Sequence, residues 1–213
     1  MDGTLTNSDE LHFQAYRETL VERTPDFNGG VPIARTFYNE WMSGNSNPAV
    51  VSRLFPEWEE EAQTALWKAK EEVYRRISVS MVPLPGVSEL LTHCRAAGVA
   101  TIVVTNAPRL DALHTLEVLG LAEAFAPTIV IGYECARAKP HPDPYLEGLR
   151  RLGLEASECL AFEDSMNGLR SAVAAGIPTV GVTTGLPEEK LRDAGACFAV
   201  EDYLDARLWR VLG

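Results

Sequence analysis

The chain has 213 residues, 46% of them hydrophobic, and a formal net charge of −11. The hydrophobic share is ordinary for a globular protein with a buried core, and the acidic balance argues against nucleic acid and anionic membrane surfaces as partners. No stretch approaches the ~20 apolar residues that a membrane helix needs, so we expect no membrane association.

The four cysteines are Cys94, Cys135, Cys159 and Cys197. They form no C-x-x-C pair and have no histidine at zinc-finger spacing, so we interpret them as reduced core residues. Reduced cysteines suit a reducing compartment, and we expect the cytoplasm. A plastid location stays open if an N-terminal extension precedes Met1.

The first part of the chain has a helical texture. Residues 8–82 are rich in Glu, Arg and aromatic side chains, and their apolar positions recur near helical spacing. The turn-forming run Pro83-Leu84-Pro85-Gly86 closes this block. We therefore predict helices before residue 83 and a change of architecture after it.

Helices and short apolar strands alternate in the rest of the chain. The pattern predicts helices at 87–97, 110–119, 144–152, 165–175 and 204–212, and strands at 99–104, 128–131, 159–162, 177–182 and 198–200. Continuous apolar strands between helices are typical of a buried parallel sheet. The predicted fold is α/β, a doubly wound parallel sheet formed by residues 1–8 and 83–213, with an inserted all-α cap at residues 9–82.

Reactive side chains follow the predicted strands. Thr105 and Asn106 come after one strand, Lys139 lies in the loop after the next, and Glu163 with Asp164 follows a third. Ligands of open parallel sheets bind beyond the carboxyl ends of the strands. A hydroxyl and backbone N–H groups there can hold phosphoryl oxygens, a lysine can neutralise their charge, and carboxylates can hold Mg²⁺. This set is therefore suited to phosphoryl transfer.

Four segments in this order resemble the four motifs of the haloacid dehalogenase superfamily of phosphatases and mutases. The segments are Asp2-Gly3-Thr4-Leu5, Val103-Val104-Thr105-Asn106, Lys139-Pro140-His141-Pro142 and Phe162-Glu163-Asp164-Ser165. The strings Asn7-Ser8-Asp9-Glu10-Leu11-His12 and Gly168-Leu169-Arg170-Ser171-Ala172 are similar to the β-phosphoglucomutase-like branch, which carries a helical cap on a Rossmann-like core. Within it, Asn28-Gly29-Gly30-Val31-Pro32 and Thr105-Asn106-Ala107-Pro108 resemble the plant sugar-phosphate and glycerol-phosphate phosphatase type.

The resemblance implies roles for the residues at the strand ends. Asp2 would be the general acid and base, with its backbone carbonyl on Mg²⁺. Thr105 and the backbone amide of Asn106 would bind the phosphoryl group, and Lys139 would offset its charge. The metal site would be completed by Asp164 and Glu163.

The same resemblance leaves the nucleophile outside the chain. In the superfamily a buried strand ends in Asp-x-Asp-Gly-Thr, and its first Asp is phosphorylated. Met1 stands at x, so the nucleophile is expected one residue earlier, on a first core strand that this chain lacks. Without that strand, neighbouring strands would lose partners at roughly 1–3 kcal/mol per buried group. We expect upstream sequence to encode a short apolar strand ending in Asp, and the 213-residue chain to be inactive or nearly so.

The predicted cap bears on the substrate. The resemblance implies that His12 and the loop at residues 42–48 approach the active site. Asn47 stands where the hexose-phosphate mutase of this branch has an arginine that grips a second phosphate. This favours a simple phosphatase acting on a small sugar or polyol phosphate. We also expect it to require Mg²⁺ and to be a monomer. A β-phosphoglucomutase-like phosphomutase and a catalytically inactive phosphoester-binding or interaction protein remain as alternatives.

Overall fold

The computed structural model describes residues 1–125 and 128–212. The chain folds as two units, one made of Ser8–Ser80 and the other of Met1–Asn7 with Met81–Gly213. We call them the helical unit and the α/β unit. Among the residues described, no helix has the length and apolar character needed to cross a membrane.

The helical unit consists of helices around an aromatic core. Its α-helices are α1 (Asp9–Arg23), α2 (Arg35–Trp41), α3 (Asn47–Leu54) and α4 (Glu60–Ile77), with a 3₁₀ turn at Phe27–Gly30. Ser46 caps α3 by accepting the N–H of Ala49 on its hydroxyl at 3.4 Å. The core contains Tyr16, Leu20, Tyr38, Met42, Val50, Val51, Phe55 and Leu66. The predicted helical character of this segment is confirmed.

The α/β unit alternates helices with short parallel strands. Its helices are α5 (Val87–Ala96), α6 (Arg109–Val118), α7 (Ala122–Phe125), α8 (Asp143–Leu152), α9 (Met166–Ala174), α10 (Glu188–Asp193) and α11 (Ala206–Leu212). Its strands are β1 (Val104–Thr105), β2 (Val130–Ile131), β3 (Ala161–Glu163), β4 (Thr179–Val182) and β5 (Phe198–Val200). The predicted α/β class with parallel strands is confirmed.

The strands pair in two groups. β1 pairs with β2, matching Val104 to Val130, and β3, β4 and β5 pair in that order, with Phe162 opposite Val180. Among residues 1–125 and 128–212, β1 and β3 each have a strand neighbour on one side only. Both strands nevertheless contribute to one buried apolar cluster through Val104 and Ala161. The sheet is thus divided between β1 and β3.

The strand boundaries differ from those predicted. The apolar run at 99–104 predicted six strand residues, but only Val104 in that run is in β1, which continues to Thr105. A strand extends only as far as its neighbour supplies hydrogen-bond partners, and here the partner β2 is two residues long. Thr105 is the last residue of β1, and Glu163 is the last residue of β3. The prediction that each comes directly after its strand is wrong by one residue. Helices α7 and α10 were not predicted.

The amino-terminal segment is fixed within the α/β unit by hydrogen bonds to distant parts of the chain. The amide of Leu84 donates to the carbonyl of Leu5 at 2.8 Å. The buried hydroxyl of Tyr203 donates to the carbonyl of Thr4 at 3.0 Å, and the hydroxyl of Thr184 donates to the carbonyl of Gly3. These bonds hold the first residues of the chain beside the end of β3.

Candidate active site

The end of β1 positions both predicted phosphate-binding residues. Thr105 is buried, and its hydroxyl oxygen accepts the N–H of Ala107 at 3.0 Å. The side-chain amide of Asn106 donates to the carbonyl of Lys139 at 3.1 Å, and its oxygen accepts the Lys139 N–H at 3.2 Å. A Cβ at Gly132 would overlap that Asn106 oxygen, so only glycine leaves it room. Asn106 therefore holds the loop that carries Lys139 against the end of β1.

Lys139 links the ends of β1 and β3. Its ammonium donates to the carbonyl of Val104 at 2.8 Å and to the carboxylate of Glu163. Both side chains of this ion pair are less than one-tenth exposed, Lys139 at 8% and Glu163 at 6%. A buried ion pair is expensive to desolvate and persists only when further polar contacts satisfy both groups. The ammonium is thus held at the carbonyl of Val104, the residue before Thr105.

Glu163 has a second polar partner that the sequence did not reveal. The hydroxyl of Tyr145, on α8, donates to the same carboxylate oxygen at 2.5 Å. Burial, and after it the negative charge of Glu163, raise the pKa of Tyr145 well above its usual value. The other side of the carboxylate presses on the first turn of α9, where a Cβ at Gly168 would overlap it. The carboxylate is held by Lys139 and Tyr145 and has no room to move toward α9.

Asp164 occupies the place where the amino-terminal segment meets the end of β3. Its Oδ1 accepts the hydroxyl of Thr4 at 3.0 Å. Gly3 has a φ of +65°, and a Cβ there would overlap the carboxylate, so glycine is required on both counts. Burial raises the pKa of Asp164 to about 6, with the charge of Glu163 adding to the effect and the Met1 ammonium and Thr4 opposing it. Asp164 is therefore an acid poised near neutral pH.

The metal role predicted for Asp2, Glu163 and Asp164 stays a prediction. Asp2 lies in the amino-terminal turn, where it bridges to Thr6. Glu163 is engaged by Lys139 and Tyr145. Within the described part of the chain, no three His, Cys, Asp or Glu side chains are grouped so that they could hold a metal ion. The predicted Mg²⁺ site uses the backbone carbonyl of Asp2 as well as side chains, so it does not depend on such a group.

His12 and Asn47 are half-buried and belong to one network in the helical unit with the buried Lys70 and Glu71. The ammonium of Lys70 lies 2.8 Å from Nδ1 of His12 and 2.9 Å from the carboxylate of Glu71. The side-chain amide of Asn47 donates to Glu71 and accepts the hydroxyl of Tyr16 at 2.8 Å. Among the residues that the structure describes, the other oxygen of Glu71 is buried and has no hydrogen-bond partner.

Sequence reasoning missed Lys70 and Glu71, although a signal for Lys70 existed. Lys70 lies four residues after Leu66 and three before Val73, on the apolar stripe of α4, where a solvated lysine would not be expected. The structure therefore brings two predicted residues together through two that were not predicted.

The α/β unit has a buried hydroxyl, a lysine and a carboxylate at its strand ends, and a separate helical unit is inserted near its start. This arrangement defines a class of phosphoryl-transfer enzyme. The sequence profile of haloacid dehalogenase-like hydrolases matches residues 1–176. This chain belongs to that family, and the resemblance deduced from its motifs is confirmed.

Several relatives are similar over most of their length. Protein CbbY of Rhodobacter capsulatus is 36% identical over 185 residues, which are 84% of this chain and 81% of that protein. The phosphorylated carbohydrates phosphatase of Thermotoga maritima is 29% identical over 206 residues, 94% of this chain and 91% of that protein. A crystal structure of CbbY from Rhodobacter sphaeroides in complex with phosphate matches with a TM-score of 0.84 and 25% identity, covering 96% of this chain and 92% of that one.

Proposed function

We propose that this protein is a phosphatase that hydrolyses small sugar or polyol phosphate monoesters, as a monomer in the cytoplasm. The observation that carries the proposal is the buried ammonium of Lys139, fixed beside Thr105 at the end of β1. A fixed cation next to a hydroxyl suits the oxygens of a phosphoryl group. The relatives support the substrate class, since one is named for phosphorylated carbohydrates and another binds phosphate.

The residues take complementary roles in this proposal. The hydroxyl of Thr105 and the backbone N–H of Asn106 bind phosphoryl oxygens, while Lys139 offsets their charge. A carboxylate attacks phosphorus, the bond to the ester oxygen breaks, and Asp2 gives its proton to the departing alcohol. Water then attacks the phospho-aspartate, Asp2 takes its proton, and inorganic phosphate leaves.

The attacking carboxylate is proposed to be an aspartate immediately before Met1. The divided sheet supports this proposal, because the open edges of β1 and β3 would both pair with one parallel strand placed between them. Lys139 contacts Val104 at the end of β1 and Glu163 at the end of β3, so a strand between them would end beside its ammonium.

Mg²⁺ dependence is proposed from the family resemblance. In that family the metal supplies charge neutralisation for the phosphoryl group. The carboxylate expected before Met1 would be a further ligand of Mg²⁺, beside the carboxylate of Asp164 and the backbone carbonyl of Asp2. None of the steps above is assigned to the metal.

A monoester is favoured over the bisphosphate that a mutase must hold. His12 and Asn47 are proposed to bind substrate, and the network they share contains one cation, Lys70, which Glu71 neutralises at 2.9 Å. A second phosphate would require positive charge that this network does not offer. The phosphomutase alternative is therefore less well supported than the phosphatase.

The test is product analysis on protein that carries its natural upstream residues, incubated with Mg²⁺ and glucose 1-phosphate, glycerol 3-phosphate and other small monoesters. The phosphatase proposal expects inorganic phosphate as the main product. Glucose 6-phosphate as the main product from glucose 1-phosphate would establish the mutase instead. Protein that binds these esters without converting any of them would favour the inactive binding protein.

A further inference from the structure

Tyr145 stands between the two members of the Lys139–Glu163 pair. Its hydroxyl donates to the Glu163 carboxylate at 2.5 Å, and the Lys139 ammonium lies 4.9 Å from the centre of its ring. The ring face attracts the cation while the hydroxyl binds the anion. We propose that Tyr145 is a positioning residue, which holds the Lys139 ammonium at the phosphate site by fixing the carboxylate that anchors it.

Water cannot take over the part played by the hydroxyl. Tyr145 is 8% exposed and belongs to the apolar cluster that also contains Val104, Ala161 and Ala172. A carboxylate oxygen that loses a donor in such surroundings has nothing to replace it, and the neighbouring bond must rearrange. Glu163 cannot turn toward α9 because Gly168 marks the limit of its space. The carboxylate of Glu163 can therefore move only in a way that also displaces the ammonium of Lys139.

The simpler role for Tyr145 is that of a core side chain. Tyr145→Phe separates the two roles because it keeps the ring and removes one oxygen. A core role predicts some loss of stability and an unchanged phosphate site. A positioning role predicts that the environment of Lys139 changes even though the ring still fills the same volume.

The first measurement uses inorganic phosphate as the probe and isothermal titration of the folded 213-residue chain. This arm rests on the proposed function. Tyr145→Phe is expected to weaken phosphate binding about tenfold, in line with the loss of a charge-assisted hydrogen bond. In a Glu163→Gln background the same substitution is expected to cause little further loss, since Tyr145 acts through Glu163. Unchanged phosphate affinity in Tyr145→Phe would overturn the proposal. So would a double variant in which the losses of binding free energy from Tyr145→Phe and Glu163→Gln simply add.

A matched control is available in the helical unit. Tyr38 is also buried, and its hydroxyl donates to Oδ1 of Asp9 at 3.0 Å. Tyr38→Phe therefore removes the same oxygen from the same kind of bond in the other unit. It is expected to lower stability and leave phosphate affinity unchanged.

A second measurement separates this proposal from the phosphatase proposal. The chain has four lysines, Lys68, Lys70, Lys139 and Lys190, so acetylation of each amine can be followed by mass spectrometry. Tyr145→Phe is expected to speed acetylation of Lys139 severalfold and to leave the equally buried Lys70 unchanged. The acetylation rate does not depend on phosphate binding, so it decides the role of Tyr145 even where the product analysis rejects the proposed function. An unchanged Lys139 rate would overturn the positioning role.

Discussion

Replacing Gly168 with alanine tests how firmly Glu163 is held. A Cβ at this position would lie 2.6 Å from Oε1 of Glu163 and closer still to Oε2, so the carboxylate must move. Moving it breaks the bonds from Lys139 and Tyr145, each worth about 1.5–3 kcal/mol as a hydrogen bond to a charged group. The higher helix propensity of alanine returns about 1 kcal/mol. We expect a net loss of about 2–5 kcal/mol, and a fall in Tm of about 10 °C for a chain of this size.

Gly148 provides the matched control, because it is also a buried helical glycine. A Cβ there would meet Val104 Cγ2 at 3.4 Å, an ordinary contact distance. Gly148→Ala should therefore leave stability unchanged or raise it by up to about 1 kcal/mol. Thermal unfolding of both variants followed by circular dichroism makes the comparison. If Gly168→Ala were as stable as Gly148→Ala, the carboxylate of Glu163 would not be fixed in the way described.

Three further substitutions test other parts of the structure by equilibrium denaturation. Burial raises the pKa of Asp164 from 3.8 to about 6, so its contribution to stability is present below pH 4 and is lost as the pH rises through 6, by at most about 3 kcal/mol. Asp164→Asn should abolish this pH dependence, and a persisting slope would contradict it. Ser165→Ala removes the cap of α9, where the hydroxyl accepts the N–H of Gly168 at 3.1 Å, and should cost about 1 kcal/mol. Lys70→Met leaves the buried Glu71 with its hydrogen bond from Asn47 but without the cation, and should cost about 3–5 kcal/mol, whereas the exposed Lys68→Met should cost almost nothing.

The architecture could be predicted because it depends on patterns along the sequence. Apolar runs punctuated by glycine gave the order of helices and parallel strands, and parallel strands place their ends at one edge. This was enough to select Thr105, Lys139 and Asp164. Strand length could not be predicted, because it depends on the partner. The run before Thr105 is apolar for six residues, yet β1 is as short as β2 allows.

The contacts inside the site could not be predicted from the same patterns. Tyr145 occupies an apolar position on α8, where an aromatic residue indicates only core packing. Its bond to Glu163 spans 18 residues of sequence and depends on the side-chain conformations of both. The metal role of Glu163 was implied by the resemblance, and its sequence neighbours do not show that Lys139 reaches it from another loop. Such long-range polar contacts appear only once the sheet places the loops together.

A carboxylate placed just before Met1 is proposed to complete a phosphoryl-transfer site. The most direct test compares the 213-residue chain with a chain extended by an apolar strand that ends in Asp, and with the same extension ending in Asn. Release of inorganic phosphate from small monoesters in the presence of Mg²⁺ is the measured quantity. Hydrolysis is expected only from the chain whose extension ends in Asp. Equal hydrolysis by the 213-residue chain, or by the version ending in Asn, would contradict it.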